Sequence, residues 1–420
     1  MEKVFAKAAW RLIPFMILLY VVSFLDRVNV SFAALEMNRD LGFTDEIYGF
    51  GAGIFFFGYF LFEVPSNVIL ERVGARLWMC RIMLTWGIVS MATAFVRTPY
   101  EFYGARFLLG LAEAGFFPGM MLYLTYWFPT PLRARFIALF LAGVPLASVV
   151  GSPISGYLLG FENFAGLHGW QWLFLIEGAP ACLLAFVILF VLPDGPAKAS
   201  WLSADEKREI ETRLAAEPKP DHHALLPMLA DPRVWLLALP DFGIVISLYG
   251  LGLWLPQIVK AMGYTNIETG FIVAAPYLAS MIGMVAVGIS SDRSGERIYH
   301  VAVPALFAAA GMAAAAMLGQ SVAAIVAMTV AIVGVYAALS VFWTLPPSFL
   351  GGTAAAGGIA LINSLSNLGG YFGPMLMGVL KHMTGGYAAG MLVLAGGLVA
   401  AAALVTIIGT RALAPARAAR

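Results

Sequence analysis

The sequence predicts an all-α integral membrane protein, with twelve transmembrane helices arranged as two pseudo-symmetric six-helix bundles. Three observations predict it. Of 420 residues, 61% are hydrophobic and only 12% charged, about half the charge a soluble chain carries, and the mean hydropathy is +0.85. Apolar runs of spanning length, at ~20 residues per bilayer crossing, recur twelve times. One charged, proline-rich stretch divides them six and six. This composition excludes a soluble enzyme, a disordered chain and a nucleic-acid binder. The balance of 25 Lys+Arg against 24 Asp+Glu gives no field for steering polyanions.

The first run, 12–35, follows Lys3, Lys7 and Arg11 like a signal peptide. No small-residue cleavage site ends it, and it continues through Asp26 and Arg27, so it reads as a retained span. Runs follow at 47–70, 77–96, 100–128, 134–159 and 170–192, most of them bounded by Gly, Pro or charge. Residues 193–232 form a linker holding Pro193, Pro196, Pro218, Pro220 and Pro227, and Ser203 to Glu206 opens a capped surface helix there. The second six runs fall at 233–259, 267–290, 299–319, 321–345, 354–380 and 386–409. The domains are therefore 1–192, the linker 193–232, and 233–420. Cys80 and Cys182 lie in apolar runs and indicate no disulfide framework.

Charge gives the orientation. With the N-terminus inside, 19 Lys and Arg fall on inner segments and 4 on outer ones, and Arg27 and Arg106 lie within spans. The positive-inside rule then puts both termini and the linker in the cytoplasm. An internal repeat supports two halves: Glu71-Arg72-Val73-Gly74-Ala75-Arg76 returns as Asp292-Arg293-Ser294-Gly295-Glu296-Arg297. Duplicated halves with a midplane site are a recurrent plan of secondary transporters.

Four intramembrane charges carry the chemistry. At ~1.5 Å per residue, Asp26 and Arg27 lie ~21–23 Å from the inner end of the first span. Arg106 and Glu113 lie ~9 and ~20 Å from the outer end of the fourth, on one helix face. Such charges cost at least ~2.5–3.5 kcal/mol each, so they pair or line a wet cavity. The arginines can grip a carboxylate bidentately, and the carboxylates can carry protons. The alternative is a static quartet tying the first span to the fourth.

The repeated motif resembles the signature of the major facilitator superfamily, Gly-x-x-x-Asp-Arg-x-Gly-Arg-Arg. The second copy fits from Gly288 to Arg297, while the first has Asn67 and Glu71 in place of Gly and Asp. Gating is expected of Glu71, Arg72, Gly74 and Arg76 and of Asp292, Arg293, Gly295 and Arg297, with a simple loop anchor as the alternative. Narrower stretches are similar to the anion:cation symporter family: Leu25 to Asn29, Arg106 to Glu113 followed by Pro118 and Trp127-Phe128-Pro129, Trp170 to Phe174, Trp254-Leu255-Pro256, and Asn363 to Pro374. The resemblance implies a major facilitator fold, Asp26 and Glu113 as the proton-linked pair, and Arg106 as a coupling or substrate arginine. It also places Asn363 at a polar substrate contact.

Further pocket candidates are Tyr59, Asn367, Gln257, Tyr249 and Trp343, with lipid or helix packing as the competing reading for Tyr59 and the asparagines. Glu63 and Glu177, nearer helix ends, are expected in structural pairs. Asp241, just after Pro240, is placed toward the cytoplasmic mouth. No P-loop or H-E-x-x-H occurs and the five histidines form no metal set, so an ATP-driven pump, an intramembrane enzyme and a bound metal are not indicated. The expectation is a proton-coupled importer of a small organic anion, such as a hydroxy-dicarboxylate or aromatic carboxylate, with no cofactor beyond the proton. A bacterial inner membrane and a monomer are expected, with an organic-anion exchanger or sugar-acid symporter as alternatives and a ligand sensor behind them.

Overall fold

The computed structural model describes residues 3–216, 231–346 and 354–417. Pro218, Pro220, Pro227, His222 and His223 of the linker, and Arg420, lie outside the described residues. The regular structure of the described residues is helical, apart from one isolated bridge between Phe164 and Leu167. The first half comprises α1 (Lys3–Leu41), α2 (Asp45–Val73), α3 (Ala75–Ala92), α4 (Pro99–Glu113), α5 (Phe116–Thr125), α6 (Thr130–Leu158) and α7 (Gly169–Val191). The linker supplies α8 (Ala204–Ala215). The second half comprises α9 (Pro232–Gly252), α10 (Leu255–Lys260), α11 (Asn266–Ser294), α12 (Ile298–Leu318), α13 (Val322–Phe342), α14 (Ala354–Thr384) and α15 (Ala388–Arg417).

Local chemistry sets the helix starts. Thr44, Thr98 and Ser321 turn side-chain oxygens onto the first backbone N–H groups of α2, α4 and α13, which satisfies donors that would otherwise face lipid or solvent unpaired. Thr265 with Glu268 forms a capping box for α11, and Ser203 with Glu206 forms the one predicted for α8.

Among the described residues, eleven segments are long and apolar enough to cross a membrane, with α4 and α5 together making one. The remaining predicted span is α14, 31 residues long, whose Asn363, Ser364, Ser366 and Asn367 dilute its apolar character. It is nonetheless packed among the others, between α2 and α9.

Within the first half α1 packs on α6 and α7, α3 on α4 and α7, and α2 on α4; within the second, α9 packs on α14 and α15, α12 on α13 and α15, and α11 on α13. The halves meet along two seams, α2 on α14 and α6 on α11. Glycine makes both close: a Cβ on Gly49 would sit 2.6 Å from the Pro374 carbonyl oxygen, and one on Gly156 2.5 Å from that of Asn266. Small residues let membrane helices approach in this way and gain dispersion contact. The seams lie toward the end remote from both termini, where Lys381 also pairs with Asp45 at 2.6 Å and Asn266 donates to Glu36.

The first part of the linker is fastened beneath the first half. Lys7 pairs with Glu206 at 2.8 Å, Trp201 stacks on Trp127, and the Tyr123 hydroxyl donates to the Pro193 carbonyl. Hydrogen bonding from Lys7 holds the Glu206 carboxyl below its ordinary range.

Candidate functional site

The four intramembrane charges converge where α1 passes α4. This convergence depends on a break in the fourth span. The residue after Ala114 is Gly115, at φ +84°, and Pro118 follows in the first turn of α5 without an amide hydrogen to give. The helix therefore stops at Glu113 and restarts at Phe116. A Cβ on Gly115 would lie 2.2 Å from Ser66 Oγ, so the crossing itself requires glycine. Interrupted helices at mid-membrane are where transporters gather polar groups.

Glu113, fully buried, accepts from Arg27 Nη2 and from Ser23 Oγ at 3.0 Å, both through Oε1. Ser23 and Arg27 stand one helical turn apart on α1 and so face Glu113 together. Arg27 also donates from Nη1 to the Tyr249 hydroxyl at 3.2 Å, which ties the first half to the second at this point. Its guanidinium lies over Phe24, Phe55 and Tyr59, 5.1–5.3 Å from each ring centroid. Tyr59 thus contributes a ring face to the cation.

Asp26 points the other way, into α3. It accepts from Trp86 Nε1 at 2.6 Å, Ser90 Oγ at 2.7 Å and Asn29 Nδ2 at 3.2 Å. Adjacent residues of α1 therefore serve different helices: Arg27 binds α4, and Asp26 binds α3.

Arg106 is fully buried over the Phe55 ring at 5.1 Å, and none of its guanidinium nitrogens has a protein hydrogen-bond partner. Glu113 Oε2 likewise has none. Leaving charged donors unsatisfied is costly, so this guanidinium suits a guest that brings acceptors. Beside Arg27 a mostly apolar cavity is lined by Phe24, Val28, Ser148, Tyr249, Tyr277 and Tyr336.

The remaining candidates fall elsewhere. Asn363 Nδ2 donates to Glu63 Oε1 at 2.9 Å, and Ser364 Oγ to Oε2 at 2.7 Å. The predicted structural pairing of Glu63 is therefore a bridge between α2 and α14, across the two halves. Glu177 accepts from Ser155 at 2.6 Å. Asn367 is half-buried on the same helix as Asn363. Gln257 is buried in α10, and Trp343 follows the last residue of α13, edge-on to Phe342. Asp241 departs from its expected place: it is completely buried within the second half, where Gly369 lets α14 close on α9 beside it.

The repeated motif folds into two different turns. In the second copy Arg297 reaches back to Asp292 at 2.6 Å and to Ser291 at 2.9 Å, and Gly295 ends α11 at φ +67°. In the first copy Gly74 separates α2 from α3 at φ +98°, and the Arg76 amide donates to Asp194 of the linker at 3.1 Å. A linker carboxylate thus stands at the N-terminus of α3, a favourable place for negative charge. Arg72 and Arg293 are exposed.

Sequence reasoning missed Ser23, Trp86 and Ser90. Their signal was polar spacing: Trp86 and Ser90 are four apart on the third span, as Ser23 and Arg27 are on the first.

The model of the Major Facilitator Superfamily matches residues 16–374. A protein of Agrobacterium vitis named for tartrate transport is 50% identical over 97% of this chain and 95% of its own. The metabolite transport protein NicT of Pseudomonas putida is 46% identical over 96% and 94%. A bacterial homologue of the human lysosomal transporter Spinster, solved inward-facing and occupied, shares the fold at TM-score 0.78 and 19% identity, over 98% of each chain. A match over most of the chain, on a two-bundle helical frame with buried charge at its centre, identifies the protein's kind: the chain belongs to the major facilitator superfamily, as a multi-pass membrane transporter and not an enzyme.

Proposed function

We propose that the chain is a symporter that imports a small organic anion together with protons across a bacterial inner membrane, with both termini in the cytoplasm. The observation that carries this reading is the pairing at the crossing of α1 and α4: Arg106 buried with no protein acceptor, beside Arg27 already neutralised by Glu113. One arginine is ready for an anion and the other becomes ready when Glu113 takes a proton. Protonation of Glu113 removes the charge that holds Arg27; Arg27 and Arg106 then bind the substrate carboxylate, and the small aromatic cavity beside them, with room for about one water, widens to admit the guest's body. On release the proton leaves Glu113 and Arg27 returns to it. Asp26, held by three donors on α1 and α3, is the second proton carrier of the pair.

The seams between the halves lie remote from the termini, so with cytoplasmic termini this is the arrangement closed to the periplasm. The relative named for tartrate transport favours a hydroxy-dicarboxylate as the guest. Uptake of labelled tartrate and of aromatic acids into proteoliposomes, with the outside acidic, tests the reading. Accumulation above the outside concentration is expected, and Glu113→Gln is expected to abolish accumulation while sparing substrate exchange. If Glu113→Gln still accumulates substrate under a pH gradient, the proton role is wrong. If the wild type exchanges but never accumulates, the protein is an anion exchanger.

A further inference from the structure

Beyond the arginine site, one buried acid is unaccounted for. Asp241 sits in the middle of α9, completely buried, with neither carboxylate oxygen holding a hydrogen bond. The backbones of α9 and α14 are close beside it: a Cβ on Gly369 would lie 2.7 Å from the Ile246 nitrogen and 3.1 Å from the Phe242 carbonyl oxygen.

The helices packed on α9 offer no countercharge. On α14, Tyr371 packs against Phe50 and Phe57 of α2, while Lys381 pairs with Asp45, and His382 follows it at the far end of the helix. Tyr336 of α13 faces Tyr277, and Lys260 closes α10, well beyond the end of α9. The described side chains of α15 carry no charge. On α9 itself, Arg233 is engaged with Asp231 at the helix start, and the Tyr249 hydroxyl faces Arg27.

The polar group alongside Asp241 is Ser366 of α14. Its hydroxyl proton is already committed to the Ile362 carbonyl at 2.8 Å. A serine hydroxyl has one proton and two lone pairs, so while Ser366 donates to Ile362 it offers Asp241 only an acceptor, and it can donate to Asp241 only by giving up that bond. A carboxylate beside it would be left without a donor; a carboxylic acid would complete a chain from Asp241 O–H to Ser366 Oγ to Ile362 O. Glu63 shows the contrast on the opposite side of the same helix, where Asn363 and Ser364 both turn donors toward it.

We infer that Asp241 and Ser366 form a second proton-carrying site, in the second half of the transporter and separate from the carboxylates at the arginines. The proton on Asp241 holds α9 against α14. Its release requires water to reach the carboxyl, and therefore requires those helices to part, so occupancy of the site follows the conformation of the second half.

Infrared spectroscopy of the full chain in lipid reads this without any substrate. At neutral pH the wild type is expected to show a protonated carboxylic-acid carbonyl band whose intensity falls by one carboxyl per chain in Asp241→Asn. In Ser366→Ala the band is expected to shift in frequency and remain, because the O–H has lost its acceptor. An unchanged band in both variants overturns the inference. Thermal melting supplies an independent reading, since a proton bound only in the folded state makes stability fall as pH rises. Asp241→Asn is expected to melt close to the wild type at about pH 4, the ordinary range of an unfolded aspartate, and increasingly above it as pH rises; equal slopes with pH overturn the inference. If Asp241→Asn does not fold, the Ser366→Ala frequency shift alone decides.

Discussion

The two halves share an architecture and a repeated loop motif, yet they bury polarity in opposite ways. The first half gathers Asp26, Arg27, Arg106 and Glu113 at one crossing and surrounds them with Ser23, Trp86, Ser90 and aromatic faces. Among the described residues of the second half Asp241 is the one buried charge, and its helices approach through Gly243, Gly369 and Gly397. A duplicated frame therefore does not imply duplicated chemistry. The half with opposed charges can exchange one partner for another, Glu113 for a substrate carboxylate. The half with a lone acid can only hold or lose a proton, and it responds by packing.

Arg106→Ala and Arg106→Lys test the charged half most severely. Loss of transport by at least ~100-fold is expected for both, because lysine lacks the guanidinium fork and offers a point charge instead; steady-state uptake with the melting temperature unchanged measures it. A lysine variant with near-normal uptake would reduce Arg106 to a mere positive charge. Next in size is Gly115→Ala, which forces a side chain into a left-handed backbone and onto Ser66. Destabilisation of about 1–3 kcal/mol is expected, read as a lower melting temperature together with weakened uptake.

Asn363→Ala strips one donor from Glu63 and loosens the link between α2 and α14. A several-fold change in uptake is expected, and Asn363→Asp, which sets two acids face to face, is expected to be worse than alanine. If alanine and aspartate behave alike, Asn363 serves the substrate rather than Glu63. Smallest of all is Glu206→Ala. Lys7 holds that carboxyl low, so the pair is intact above the ordinary carboxylate range and is lost only as pH falls through the lowered value. Uptake at neutral pH is expected to be indistinguishable from wild type, and a clear loss would make the strapped linker part of the transport machinery.

Much of this was legible in the sequence. Twelve apolar runs pointed to the helices, and four charges inside them pointed to the candidate site, because a charge in a bilayer has few innocent explanations. What could not be read was who pairs with whom. Spacing set Arg106 and Glu113 on one face of the fourth span, yet Glu113 binds Arg27, because the break at Gly115 ends the helix there. Asn363 and Glu63 are 300 residues apart, and no local pattern couples them. Asp241 could not be placed because its burial comes from the packing of other helices on α9, which no local pattern encodes.

The fastening of the linker has a practical consequence. Because Lys7 holds α8 itself, and Trp127 and the turn before α3 hold Trp201 and Asp194 just ahead of it, α8 should ride with the first half as a rigid passenger. A fluorophore on the exposed face of α8, paired with one on a cytoplasmic end of the second half, would report the distance between the halves in real time without touching the bilayer. The part of the protein most remote from the substrate thus becomes the most convenient pointer on its motion.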